Sequence, residues 1–197
     1  LLNSSIDGKV TKMKLKHKII ILLITLMTVL IVDQATKWIA IETLKESGEC
    51  YSFLGDFFRI QYAENKGAFL SLGASLPPHT RAWVMIGVNA LVLIVLSGYM
   101  LLAKLIKPLP FIAFSAITGG GIANLIDRIF RDGSVIDFMN MGVKVGNIGL
   151  RTGIFNVADL AIMAGLFLVI GHELYWGIKQ HGQHQEKKGQ NKKTEGQ

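Results

Sequence analysis

Four aspartates stand beside long apolar runs in this chain: Asp33, Asp127, Asp137 and Asp159. A carboxylate near hydrocarbon is expensive to keep, so each is a candidate for function. Two such groups held close together resist double ionisation. One keeps a proton while the other keeps a charge, and the pair can then serve as general acid and general base. Amides and cations are spaced around them. Asn124, Asp127 and Arg128 fall at i, i+3 and i+4, on one face of a helix. Asn156 and Asp159 are three apart, and Asp33 and Lys37 are four apart. Gly119-Gly120-Gly121 precedes Asn124, and small residues of this kind let helices approach closely. Plainer roles compete with chemistry at each position. Asp127 and Arg128 read equally as an interfacial ion pair, Asp33 and Lys37 as a structural pair and interface anchor, and Asn124 as a helix–helix hydrogen bond.

The elements that must position these groups are apolar. Half of the 197 residues are hydrophobic and 18% are charged, against about 25% charged in a soluble domain. Four segments have the composition of membrane spans. The first begins at Ile19, is uninterrupted to Val32, and continues helically through Trp38 and Ile41. The others run near Ala82–Ala103, Leu109–Ile126 and Phe155–Ile178. Pro108 and Pro110 suit a helix start, and Tyr175 and Trp176 suit an interfacial belt. The fold class is therefore a mainly α membrane protein: four transmembrane helices, a small extracytoplasmic β cradle and a second outer loop. Residues 1–18 form an N-terminal tail, 19–178 the four-helix domain, and 179–197 a polar tail expected to be disordered. The outer loops cover about 42–81 and 128–154. In the first, Phe57–Tyr62 alternates as a strand does. Glycines around Gly67 and over Gly142–Gly149 suggest flexible covers for a bound substrate.

The net charge of +7 raises the question of nucleic acid. The lysines instead cluster at the two ends, Lys9–Lys18 and Lys179–Lys193, with no basic stripe interleaved with aromatics. The positive-inside rule then places both termini in the cytoplasm and the two larger loops outside. All four aspartates fall at, or just beyond, the outward ends of spans on this reading, with Asp137 ten residues past Asp127. The single cysteine, Cys50, permits neither an internal disulfide nor a Cys-based metal site. No histidine cluster suggests a metal, and no cofactor is expected. Met13, followed by Lys14, Lys16 and Lys18, has the look of a start, with residues 1–12 upstream of it. A basic flank and apolar run also mimic a signal peptide, but no small-x-small site follows.

Five motifs occur in order: Asp33-Gln34-Ala35-Thr36-Lys37, Asn65-Lys66-Gly67-Ala68-Phe69, Gly119-Gly120 with Asn124-Leu125-Ile126-Asp127-Arg128, Val135-Ile136-Asp137-Phe138, and Phe155-Asn156-Val157-Ala158-Asp159. Together they resemble the lipoprotein signal peptidase (signal peptidase II) family. The resemblance implies an aspartic endopeptidase of the bacterial plasma membrane. Its substrate would be a prolipoprotein already carrying diacylglycerol on a cysteine, cut just before that residue. The family's catalytic pair falls on Asp137 and Asp159. Asp33, Lys37, Asn65, Gly67, Asn124, Asp127, Arg128 and Asn156 would support the site or contact substrate. Membrane lipid and the prolipoprotein are the expected partners, and the chain is expected to act as a monomer. Ala123 stands where the family usually has glycine, and the Asp127–Asp137 spacing is one residue longer than usual.

Two other classes compete. A proton-coupled transporter also places acids in a membrane, but four spans without a repeat, and acids gathered at one face, leave no path across. A non-enzymatic assembly factor using the 42–81 loop does not require two acids at the outer surface.

Overall fold

The structure is a computed structural model that describes residues 13–67, 77–103, 106–146 and 148–194. In chain order it contains α1 (Leu15–Leu44), β1 (Cys50–Phe53), β2 (Phe58–Asn65), α2 (Pro78–Leu102), α3 (Pro108–Phe130), β3 (Val135–Val145), β4 (Ile148–Arg151) and α4 (Val157–Thr194). All four helices contain a stretch long and apolar enough to cross a membrane. Large apolar side chains such as Ile24, Leu91, Ile94 and Phe167 lie exposed on their outer faces. That arrangement suits lipid, because a helix already satisfies its own backbone hydrogen bonds.

Helix α3 is the axle and packs on α1, α2 and α4. Its three glycines explain how. Successive helical residues point about 100° apart, so consecutive glycines open three different faces. A Cβ on Gly119 would lie 3.2 Å from Val29 Cβ of α1. One on Gly120 would overlap the Ala158 carbonyl oxygen of α4, and one on Gly121 would come within 2.6 Å of Leu93 Cδ2 of α2.

At the end away from the sheet, Lys18 of α1 is buried. Its ammonium donates to the carbonyls of Ala103 (2.6 Å) and Met100 (3.2 Å). The last carbonyls of α2 have no partners within their own helix, and a cation suits the negative end of the helix dipole.

Helix α1 is longer than a span requires. Its 30 residues extend about 45 Å, against about 30 Å of hydrocarbon. The last turns carry Ala40 and Leu44 into a core with Phe138, flanked by Ile60, Tyr62 and Met139. This core seats a four-stranded antiparallel sheet of order β1-β2-β3-β4. A register irregularity between Ile60 and Ala63 bends β2 and sets Ala63 opposite Asp137.

Several expectations require correction. The cradle is not built from the 42–81 loop alone, because the second outer loop supplies β3 and β4. The Gly142–Gly149 segment is a paired hairpin rather than a loose cover. Residues 68–76, the rest of the segment around Gly67, lie outside the described residues, as do 1–12. Helix α3 runs to Phe130, so it continues past the expected span end at Ile126, the outer loop begins later than 128, and Asp127 and Arg128 lie on the same helix as Asn124, as their spacing suggested. Helix α4 continues past Ile178 to Thr194, so 179–194 is helical where a disordered tail is expected. Lys, Gln and Glu are good helix formers, and this tail extends a helix that is already nucleated.

Replacing Gly120 with Ala should push α4 away from α3, because the obstacle is backbone. A destabilisation of about 1–3 kcal/mol is expected from overpacking. Gly98→Ala in α2, where the added Cβ meets nothing within 4 Å, should be neutral or stabilising by up to about 1 kcal/mol. Unfolding midpoints of the two purified variants check the contrast.

Candidate active site

The site forms where α1, α3, the start of α4 and the sheet meet. Its innermost group is the Lys37 ammonium, fully buried. It lies 2.8 Å from Asp33 Oδ2 and 2.9 Å from Asp127 Oδ2, and donates to Asn124 Oδ1 at 3.1 Å. All three of its N–H bonds are thereby used. The carboxylates extend the network. Asp33 Oδ1 accepts the Ala158 N–H at 2.8 Å, so α1 caps the first turn of α4. Asp127 Oδ2 accepts the Ile136 N–H at 3.2 Å, which fixes β3 one residue before Asp137. Asp127 Oδ1 accepts from Gln34 Nε2 at 3.1 Å and faces Arg131 Nε at 3.4 Å.

The other two aspartates meet over Asn156. The Asn156 amide nitrogen donates to Asp137 Oδ1 at 2.7 Å, to the Ile136 carbonyl at 3.2 Å and to Asn124 Oδ1 at 3.1 Å. Its amide oxygen accepts the Asp159 N–H at 2.9 Å, while Asp159 Oδ2 accepts the Asn156 N–H at 3.2 Å. This is a reciprocal capping box at the start of α4. Asn124 Nδ2 donates to Asp159 Oδ1 at 2.9 Å, and Asn65 Nδ2 donates to Asp137 Oδ2 at 3.0 Å. Asp137 is thus nearly inaccessible and held on both oxygens, whereas Asp159 is only half-buried. Burial pushes the Asp137 carboxyl up to about 6. The charge of Asp159 pushes the same way, and the amides of Asn65 and Asn156 and the Lys37 charge oppose it. Among the described residues no three His, Cys, Asp or Glu side chains are arranged to hold a metal ion.

The structure joins eight of the ten singled-out residues in one hydrogen-bonded network: Asp33, Lys37, Asn65, Asn124, Asp127, Asp137, Asn156 and Asp159. Gly67 attaches through its N–H to Asn65 Oδ1 at 3.0 Å, and its φ of 81° brings the chain close over Arg128. Arg128 stands apart. It does not pair with Asp127, because adjacent helical residues point in different directions. Its Nη1 donates to the Gly133 carbonyl at 3.0 Å and holds the turn that enters β3. Its Nε is buried without a partner among the described residues. A cleft of 420 Å³ lies beside it, lined by Ala82, Trp83, Ile86 and Ile129. The Asp33–Lys37 pair is real but is not an interface anchor, since both side chains face inward. Asn156 and Asp159 do not share a helical face, because Asn156 is the residue that caps the helix. Sequence reasoning missed Gln34 and the two backbone donors at Ile136 and Ala158. Gln34 beside Asp33 has no distinguishing signal, and backbone N–H groups have none at all.

This geometry has known relatives. Residues 25–175 match the family profile described as signal peptidase (SPase) II. The chain is 35% identical to a lipoprotein signal peptidase of Pelodictyon phaeoclathratiforme, over 80% of this chain and 89% of that one. It is 33% identical to the lipoprotein signal peptidase of Borrelia turicatae, over 73% and 83%. Two solved structures of a bacterial membrane enzyme, obtained by the in meso method, share the fold with a TM-score of 0.61. Their identities are 23% and 24%, over 83% of this chain and 91% and 96% of those chains.

Exchange of Lys37 for Met leaves two buried carboxylates without their cation. The expected loss is about 3–5 kcal/mol. Adding Asp33→Asn removes one of the stranded charges and should recover part of it, so the two changes are non-additive. Unfolding midpoints of both single variants and the double variant measure the coupling.

Proposed function

We infer the chemistry of this chain from its lineage: it belongs to the signal peptidase II family, and Asp137 and Asp159 are its catalytic pair. The activity is that of a lipoprotein signal peptidase, an aspartic peptidase carried in a bacterial membrane by several spans. One observation supports the choice of pair. The single residue Asn156 bonds Asp137 through its side chain and Asp159 through its backbone, so the two carboxylates are held on one small scaffold. Asp33 and Asp127 are instead committed to Lys37 and to backbone N–H groups.

The proton is assigned to Asp137 and the charge to Asp159. Burial favours a neutral Asp137, while the first turn of α4 favours a negative group at Asp159. The Asp159 carboxylate takes a proton from a water, and that water's oxygen attacks the scissile carbonyl carbon. Asp137 gives its proton to the carbonyl oxygen. The tetrahedral intermediate then collapses: the C–N bond breaks, the leaving nitrogen takes the proton held by Asp159, and one hydroxyl of the new carboxyl group returns its proton to Asp137. Arg128, Asn65 and Gly67 border the pair and would contact the peptide, with Arg128 Nε, unpartnered among the described residues, as a donor to it.

The substrate in this reading is a diacylglyceryl-modified prolipoprotein, cut just before the lipidated cysteine. Removing its acyl chains from the bilayer would cost about 0.8 kcal/mol per methylene. A site at the membrane boundary avoids that cost. Lysine distribution supports cytoplasmic termini and a site at the outer face, and the chain acts as a monomer.

Purified protein should cleave a diacylglyceryl-modified prolipoprotein before its cysteine. Asp137→Asn and Asp159→Asn should each lower kcat by at least about 10²–10⁴-fold while still folding, and a precursor without lipid should be cut poorly. Persistent cleavage by either variant would remove that residue from the pair. The pH profile supplies an independent check. Activity should fall as rising pH deprotonates Asp137, on a limb at or above about 6. The Asn65 amide favours the ionised form, so Asn65→Ala should move this limb to higher pH. A limb that stays in place, or moves down, contradicts the assignment of the proton.

A further inference from the structure

We propose that the end of the bundle opposite the aspartates holds a binding site for the phosphate of an anionic glycerophospholipid, formed by Lys107, Trp176 and Lys179. The indole of Trp176 is approached by two ammonium groups. Lys107 Nζ lies 3.4 Å from the ring centroid and Lys179 Nζ lies 5.0 Å from it. Either contact alone is an ordinary cation–π pair. Two on one ring bring like charges near each other at a membrane boundary, and an anion reached by both would offset their repulsion. Among the described residues no carboxylate lies within 4.0 Å of either lysine. Glu173, one turn before Trp176, faces His172 Nδ1 at 3.2 Å instead.

The cluster is made by tertiary packing and is not a basic run. Lys107 caps the start of α3, and Lys179 belongs to α4. Lys107 is half-buried, and so is Trp176. The α3 terminus itself offers little to an anion. Pro108 and Pro110 have no N–H, and the Phe111 N–H is bonded to the Lys107 carbonyl at 3.1 Å. The side chains must therefore do the binding. A phosphate between them would accept from each ammonium at about 2.7–2.9 Å.

Depth identifies the source of that phosphate. Trp176 follows Asp159 by seventeen residues in one continuous helix, about 25 Å along its axis. The aspartates and the indole therefore lie roughly one hydrocarbon thickness apart, at opposite boundaries. Tyr175 packs edge-on against Trp176 with ring centroids 5.8 Å apart, the pairing expected at headgroup level. One turn further into the membrane, Leu109 and Ile112 of α3 are exposed on one face, where an acyl chain can lie. A zwitterionic choline lipid would bring a third cation to the two lysines, so the site favours net-negative headgroups.

The test is competitive retention by the full-length chain in neutral detergent, read by native mass spectrometry with equal phosphatidylglycerol and phosphatidylcholine. Wild type should retain phosphatidylglycerol about ten-fold or more over phosphatidylcholine. Lys107→Gln with Lys179→Gln should abolish the preference while leaving the melting temperature and prolipoprotein cleavage unchanged. Lys107→Arg with Lys179→Arg should keep the preference, which separates lost charge from lost fold. Equal retention by wild type, or an undiminished preference in the Gln pair, overturns the site. Release of bound phosphatidylglycerol by an equal concentration of inorganic phosphate overturns it as a lipid site and leaves a free-anion site.

Discussion

A single buried ammonium organises the upper half of this protein. Lys37 is fully buried, and an isolated charge there would be untenable. Asp33 and Asp127 make it tolerable, and each also reaches a backbone N–H. Asp33 turns its second oxygen to the first turn of α4, while Asp127 holds the entry to β3 with the same oxygen that meets Lys37. The two elements that carry Asp137 and Asp159 are thus tied to the same ion. The third Lys37 proton fixes the oxygen end of Asn124, which leaves the nitrogen end for Asp159. Chemistry and architecture meet at this one amide.

The capping box adds a constraint of another kind. Asp159 holds the Asn156 N–H while Asn156 holds the Asp159 N–H. A carboxylate assigned to the reaction therefore also caps the start of a helix. Its orientation is set by local backbone geometry and does not depend on a flexible loop. Asp137 is fixed differently, by a strand register and by amides from β2 and from the cap of α4. The two groups are positioned by independent means and joined at one residue, as a site that tolerates little misplacement requires.

Much of this was legible in the sequence. Long apolar runs identified the helices, and acids beside those runs pointed to the candidate site, because both signals reflect the cost of burying charge in hydrocarbon. The partner of Asp127 was misread, since neighbours in sequence are not neighbours on a helix surface. The β3–β4 hairpin was hidden by its glycines: Gly142, Gly146 and Gly149 weaken the alternation that marks a strand. The spacing of Asn156 and Asp159 fitted both a shared helical face and a cap. Only the position at which α4 begins decides between them. The roles of the Ile136 and Ala158 N–H groups could not be read, because every residue except proline carries the same donor.

The placement of α2 has a consequence for traffic. It leans on α3, and among the described residues no packed interface joins it to α4. The bundle therefore lacks an α2–α4 seam, and the cleft beside Arg128 lies between α2 and α3. A chain already anchored in the bilayer can arrive by sliding within the plane, without leaving the membrane. Its encounter with the enzyme is then a two-dimensional search, governed by copies per unit of membrane area rather than by concentration in solution.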